Sequence, residues 1–572
     1  MSFLAATLFL ACGPAQTTPC VAQELKSADL AGGKTLPAGS CYLVKTNLSL
    51  SNGTLVAEKG VLISFSTDVG LSVTGAGRLK INGTSDAPVR FTGADPAVKW
   101  KGVRLDDSQG ADNTWAWFEI SNAGSEKWTG AAWSSAALFL DGSSGVVADH
   151  LTVRSSASHG LLMTAAVTNT FTNLTLAGNL TPAYVHPQVV DQLPADTTFE
   201  ANTTPSVRVV FGNNDGVEGT HTWPAFTYQM EDRSFVKGAL TLAPGATLKF
   251  AQNASLVVET AATLTAQGTA TAPITFTRAD TGLWKGLSVG GGSAGAPSVR
   301  LAFCVIEYAA GENWSGNAES KAALYLEAAA AAQVTDTTFR NNERYAVWAS
   351  GRAALPGFGR NTFTDNGRVM LLHPDRVGDL GVGNTFTGNT INGLHLVSGN
   401  NDAVTAPATW KDQGVPLLVR DRFFVNAALQ LDPGVTLQFA QNASLEVATT
   451  GSLSANGTAT AKVTFEGQSA DAAGFWKGLR FQSNLPANVL TQTIVRHAGS
   501  ARWTGDSESD AALYLDASAQ VTLSNVTVGP NGGYGVFREA ASSNLTCTAA
   551  AFSSNVKGAV YDDDNAVTVP GC

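Results

Sequence analysis

Three copies of one long segment constrain this chain more than any other feature. Leu240-Thr-Leu-Ala-Pro-Gly-Ala-Thr-Leu-Lys-Phe250-Ala-Gln-Asn-Ala-Ser-Leu256 returns as Leu429-Gln-Leu-Asp-Pro-Gly-Val-Thr-Leu-Gln-Phe439-Ala-Gln-Asn-Ala-Ser-Leu445, an offset of 439 − 250 = 189. A weaker copy through Leu55, Gly60 and Phe65 lies 250 − 65 = 185 positions earlier. Each copy continues with Gly-Thr (Gly83-Thr84, Gly268-Thr269, Gly457-Thr458) and a strand-like run ending in Phe91, Phe276 or Phe465. Trp-Lys-Gly follows at Trp100, Trp284 and Trp476, and Trp-x-Gly at Trp128, Trp314 and Trp503. An Ala-Ala-Leu-aromatic-Leu strand closes the set at Ala136, Ala322 and Ala511. Fixed-period self-similarity of this kind marks a repeat architecture, in which each unit buries its apolar face only against its neighbours.

A finer period runs inside each copy. Phe339, Phe363 and Phe386 are spaced 24 and 23 apart, and so are Asn342, Asn366 and Asn389; Asn531 and Asn555 are also 24 apart. One turn of a parallel β-helix matches that period, with Phe stacked inside and Asn in a tight turn. Stacked Asn side chains hydrogen-bond along the axis and tolerate left-handed backbone. The frame of a leucine-rich repeat is absent, and a β-propeller needs full four-strand blades every 40–50 residues or so. The expected fold is therefore all-β: a right-handed parallel β-helix of three tandem units of about 190 residues, roughly eight coils each. The expected boundaries are 13–40 for an N-terminal linker and cap, then 41–205, 206–402 and 403–572, the last including a C-terminal cap.

Composition agrees. A chain of 572 residues is too long for one ordinary core. With 44% hydrophobic and only 14% charged residues, disorder is not expected. The formal net charge is −10 and no Lys/Arg stripe stands out, which argues against a nucleic-acid partner.

Residues 1–12 form a short apolar run ending Leu10-Ala11-Cys12, too short to span a bilayer, which takes about 20 apolar residues. The run resembles a bacterial lipoprotein signal peptide, which makes Cys12 the lipidated residue and an N-terminal acyl chain the contact with the bilayer. The alternative is a plain signal peptide with an incidental Cys. Gly13 after the Cys implies, by the same resemblance, the outer membrane or cell surface. In an exported chain, Cys20 with Cys41 and Cys547 with Cys572 suggest disulfides that limit fraying at the two ends of an array. Cys304, in an apolar run, reads as a buried small residue.

The order of motifs, clearest at 240–289 and 429–481, resembles a family of exported bacterial right-handed parallel β-helix repeat proteins within the pectate-lyase-like superfold. The resemblance covers nearly all of the chain. It implies fold and export and supplies no activity, because function resides in sites and not in folds.

The search for chemistry is mostly negative. Asn213-Asn214-Asp215 lacks the Asp-Asp and Gly-His-Gly that glycoside hydrolases of this fold carry downstream, and Asn400-Asn401-Asp402 repeats it. The dense acidic clusters are Asp106-Asp107 and Asp562-Asp563-Asp564. They are weak Ca²⁺ candidates, Ca²⁺ being the one cofactor considered, and solvated surface is the competing reading. The seven His show no metal-ligand spacing. Trp100, Trp284 and Trp476 read as corner residues packing on the coil surface. Trp128, Trp314 and Trp503 lie in polar loops and are the candidate glycan-binding residues, since an exposed indole offers a flat face to a sugar; the competing reading is loop anchoring. The leading expectation is a monomeric, lipid-anchored, non-enzymatic protein that binds a polysaccharide or cell-envelope component. A polysaccharide lyase or glycoside hydrolase, and a structural spacer, are the alternatives. An enzyme predicts one repeat that departs from its siblings by clustering Asp, Arg or Lys; a binding rod predicts equivalent exposed residues in all three.

Overall fold

The computed structural model describes residues 20–572 except 109–112, 210–214, 292–297, 350, 398–401 and 470–472. The expected signal peptide with Cys12 lies outside the described residues, as do Asn213, Asn214, Asn400 and Asn401. The chain is an all-β parallel solenoid, with short 3-10 helices at Ser27–Leu30, Pro187–Gln192 and Pro374–Asp379. It divides into two compact units, Met1–Arg208 and Val209–Cys572.

In the N-terminal unit every coil contributes strands to parallel stacks. One stack carries Cys41–Val44, Leu62–Phe65 and Val89–Gly93, paired in register as Tyr42↔Ile63 and Ile63↔Phe91. Another carries the first half of Gly70–Asn82, then Gly102–Asp106, Ala136–Asp141, His159–Met163 and Thr181–Val185, all parallel. In Leu62–Phe65 burial alternates with the two-residue period of a strand, Ile63 and Phe65 inward. Interior Val, Leu, Ile and Phe each stabilise by about 1.5–3 kcal/mol when fully buried, and the sum is near-additive along the stack.

In the C-terminal unit a 14-stranded parallel sheet runs from Gly216–Val217 to Ala551–Phe552. It contains Ala322–Leu326, Tyr345–Ala349, Arg368–Leu372 and Ile391–Leu396. The next strand of that sheet is Leu417–Val419; the intervening Ala403–Val404 and Ala408–Trp410 open two other sheets. Ala511–Leu515, the third repeat's counterpart of Ala322–Leu326, lies on the sheet begun by Ala403–Val404. Equivalent strands of the second and third repeats thus belong to different faces.

The Asn and Phe spacings have their predicted meaning. Phe339, Phe363 and Phe386 stack at 5.2 and 5.3 Å. Asn342 Nδ2 donates to Asn366 Oδ1 at 2.8 Å, and Asn366 Nδ2 to Asn389 Oδ1 at 3.0 Å. The left-handed backbone, however, falls one residue earlier, at Asn341, Asp365 and Gly388, with φ of 55°, 55° and 68°. The ladder Asn needs its side chain inward, so the preceding residue takes the bend. Disulfides join Cys20 to Cys41 and Cys547 to Cys572, and Val567–Val569 folds back antiparallel on Gly558–Asp562 to close the last coil. Cys304 is buried and donates its thiol to the Ala266 carbonyl at 3.2 Å; burial pushes its pKa up to about 12.

Candidate functional site

The two Trp motifs build one frame three times. Trp100, Trp284 and Trp476 are fully buried inside the coils and do not pack on the coil surface as expected. They stack face to face on Phe65, Phe250 and Phe439 at 4.0, 4.3 and 4.0 Å. Their indole N–H groups donate to the carbonyls of Ser121, Glu307 and Arg496 at 2.7–2.8 Å, which satisfies the one polar atom each ring brings inside. The glycine of each Trp-Lys-Gly (Gly102, Gly286, Gly478) sits at φ of 121°, 126° and 131°. A Cβ there would lie 2.5–2.6 Å from backbone carbonyl oxygens of the next strand, so both conformation and space demand glycine.

The Lys of that motif reaches the second Trp. Lys101, Lys285 and Lys477 place Nζ 4.9, 4.8 and 4.5 Å from the ring centroids of Trp128, Trp314 and Trp503. Those indole N–H groups donate to the Ala136, Ala322 and Ala511 carbonyls at 3.2, 2.9 and 3.1 Å. Ser134, Ser320 and Ser509 close the loops by donating their hydroxyls to loop carbonyls. Trp128 and Trp314 are half-buried and Trp503 is buried. Trp314 and Trp503 stand over strands of different sheets. These indoles anchor the loops to the strand they precede, and a ligand could reach at most the faces of Trp128 and Trp314 left uncovered.

The loop lies over the outer face of that strand. The usual alternation therefore fails there: all of Ala511–Leu515 is buried, and so is Ala136–Leu140. An outward column of large side chains starts at this strand in every repeat. It runs Phe139–Leu162–Tyr184 in the first, Tyr325–Trp348–Leu371–His395 in the second and Tyr514–Phe537–Tyr561 in the third. At the loop tip the three repeats diverge. In the first, Trp133 is 42% exposed and lies 6.0 Å from Tyr184, which stacks on His159 at 4.6 Å and lies under the Arg208 guanidinium at 4.9 Å. In the second, Glu319 takes the place of Trp133. It accepts hydrogen bonds from Arg344 and Arg368, with Arg420 Nη2 3.7 Å away. Arg368 and Arg420 also donate to Tyr345 Oη at 2.9 and 2.7 Å. In the third, Glu508 accepts from Tyr534 Oη at 3.0 Å and from Lys557 at 3.2 Å, and Lys557 also donates to Asp510 at 2.7 Å.

No family model matches this sequence, and no curated protein or solved structure matches it either.

The local electrostatics follow from this geometry. Hydrogen bonds from Arg344, with Arg368 adding to them, hold the Glu319 carboxyl below its ordinary range against the opposing effect of burial. Burial, reinforced by Arg420 and Arg368, lowers His395 to about 3; burial and Arg208 lower His159 to about 4. Both imidazoles are neutral at pH 7. The acidic clusters are dispersed: Asp106 pairs with Arg104 at 2.9 Å, Asp107 accepts from Ser143, and Asp562 pairs with Arg538 at 3.3 Å. Asp564 accepts from the Ala541 N–H, and burial raises the Asp563 carboxyl, helped by the like charge of Asp506. Among the described residues no three His, Cys, Asp or Glu side chains come together as a metal site, Asp562, Asp563 and Asp564 included. Among them, too, no helix is long and apolar enough to cross a membrane. Sequence reasoning passed over Glu319, Tyr345 and Arg368. Comparing repeats at the 189-residue offset finds them, since they align with Glu508, Tyr534 and Lys557.

Proposed function

We propose that the chain is an exported, lipid-anchored bacterial surface protein that binds glycan without cleaving it, through the loop-flanked outer columns of its repeats. One observation carries this reading: a fixed, threefold frame presents an outward column bearing aromatic side chains beside its loop in every repeat. Aromatic faces flanked by guanidinium and carboxylate groups suit sugars, whose C–H faces pack on rings and whose hydroxyls take hydrogen bonds. The resemblance to exported β-helix repeat proteins and the Cys12 signal support surface anchoring, and monomeric action fits a single-chain array.

A second reading, a polysaccharide lyase or hydrolase, is favoured by the second repeat, whose Glu319 gathers two of its own Arg and Arg420 from the start of the third. A glycan array probed with the purified chain, followed by product analysis on the polymers it binds, separates the two. Binding without products, weakened about tenfold by Trp133→Ala at the exposed aromatic tip, is the expected result. Products would establish the enzyme instead, and silence on every glycan would leave the spacer reading.

A further inference from the structure

We infer that the second repeat, together with Arg420 from the start of the third, holds a subsite for the anionic group of an acidic oligosaccharide, gripped by Arg344, Arg368 and Arg420. The inference rests on the glycan reading above and narrows it. Three guanidiniums surround a single carboxylate, Glu319, which leaves an excess of two positive charges (3 − 1 = 2) in a chain whose net charge is −10. At the same place the third repeat has one cation, Lys557, held between Glu508 and Asp510. The excess therefore belongs to this site and is not required by the frame. Arg344 and Arg420 are the reachable cations, 32% and 35% exposed beside Glu319 at 39%, while Arg368, at 15%, lies deeper. Each guanidinium carries five N–H donors in a planar fork that matches a carboxylate, sulfate or phosphate edge. Among the described residues, their hydrogen bonds run to Glu319 and Tyr345 alone, which leaves donors for a second anion.

An independent observation comes from the wall of the site. His395 and Trp348 are 5% and 6% exposed and pack on the Tyr345 ring at 5.6 and 5.2 Å. His395 Nδ1 and Trp348 Nε1 are buried, and neither has a hydrogen-bond partner among the described residues. Buried polar atoms left unmatched are rare in folded proteins and point to a missing partner. The Trp348 N–H and the His395 imidazole beside three guanidiniums form a polar set that a sugar carrying both hydroxyls and an acidic group would complete. Glu319 marks how such a group is held, and it competes for the same donors from its place on the loop.

That competition gives the test opposite signs. The purified chain is titrated with dextran, carboxymethyl-dextran and dextran sulfate, which share a backbone and differ in anion. The wild type is expected to bind one of the charged forms at least about tenfold more tightly than dextran. Arg344→Gln with Arg368→Gln should abolish that preference, and either substitution alone should reduce it, whereas Arg360→Gln, which removes one charge from a surface pair with Asp336, should leave it unchanged. Glu319→Gln should strengthen charged-polymer binding several-fold, a gain that misfolding cannot mimic. Which charged form wins distinguishes a carboxylate from a sulfate subsite. Glycan binding on the array that ignores anion and variants alike overturns the subsite and leaves the glycan reading standing. Absence of binding to every glycan overturns both, and a Glu319→Gln variant that binds more weakly overturns the competition and with it the assignment.

Discussion

The Trp-x-Gly loop of the N-terminal unit and that of the second repeat, in the C-terminal unit, share their anchors and differ at their tips. Both bury a Trp on a Phe, both run a Lys over a second Trp, and both return an indole N–H to the strand that follows. Yet one tip is an exposed Trp133 beside Tyr184 and His159, and the other is Glu319 beneath three Arg. The frame demands its residues for steric reasons, whereas the tip is free of that demand. Change concentrated where the frame is indifferent is what recognition of different ligand groups requires.

If the frames are equivalent, breaking them should cost the same in both units. Trp100→Ala and Trp284→Ala each remove a fully buried ring and its hydrogen bond, and each should destabilise its own unit by about 3–5 kcal/mol. Hydrogen exchange resolved to the individual coils measures this. Loss confined to the mutated unit and similar in size for both supports one frame; a large cost in one unit only would break the comparison.

Next in size is the response to acid, where the tips should differ. His159 and His395 titrate near 6.5 when unfolded and near 4 and 3 when folded. The unfolded chain thus takes up a proton that the folded chain refuses. Stability is complete above about pH 6.5 and falls as the pH drops, down to about 4 for the N-terminal unit and about 3 for the second repeat. The loss is on the order of 3 kcal/mol for His159 and 5 kcal/mol for His395. His159→Phe and His395→Phe should flatten the profile between those limits, each in its own unit, as read by exchange at a series of pH values. A profile unchanged by either substitution would show that both rings accept protons in place.

How much of this was legible in the residues depends on what each constraint needs. The fold was legible because stacking imposes a period: Phe339–Phe363–Phe386 and Asn342–Asn366–Asn389 recur at one coil's length, and the structure stacks and bonds them. The disulfides followed from their positions at the two ends. The inward placement of Trp100, Trp284 and Trp476 was not legible, because a Trp at a strand start suits either side of a coil until its stacking partner is known. The outer columns were hidden for a related reason. In Ala-Ala-Leu-Tyr-Leu every residue is apolar enough for a core, so the sequence does not say that Tyr325 and Tyr514 point outward under a loop. The Arg344–Arg368–Arg420 cluster joins residues one and several coils apart, which the chain brings together only after the coil length is set.

The smallest expected effect tests the frame most finely. Lys101→Met and Lys285→Met keep the aliphatic cover on Trp128 and Trp314 and remove only the charge over the ring. A half-exposed cation–π contact of this kind is worth about 0.5–1 kcal/mol. Lys285 also lies 4.0 Å from Glu312, a rim pair that solvent screens to little. Equal small losses for the two variants, measured as shifts in each loop's exchange rates, would mean that the anchor is indifferent to the tip above it. If Lys285→Met alone loosened the loop that carries Glu319, the charge at the base would be part of what holds the carboxylate against its Arg partners. The second repeat would then have modified its frame as well as its tip, and the division between a fixed scaffold and a variable recognition edge would have to be redrawn one residue deeper.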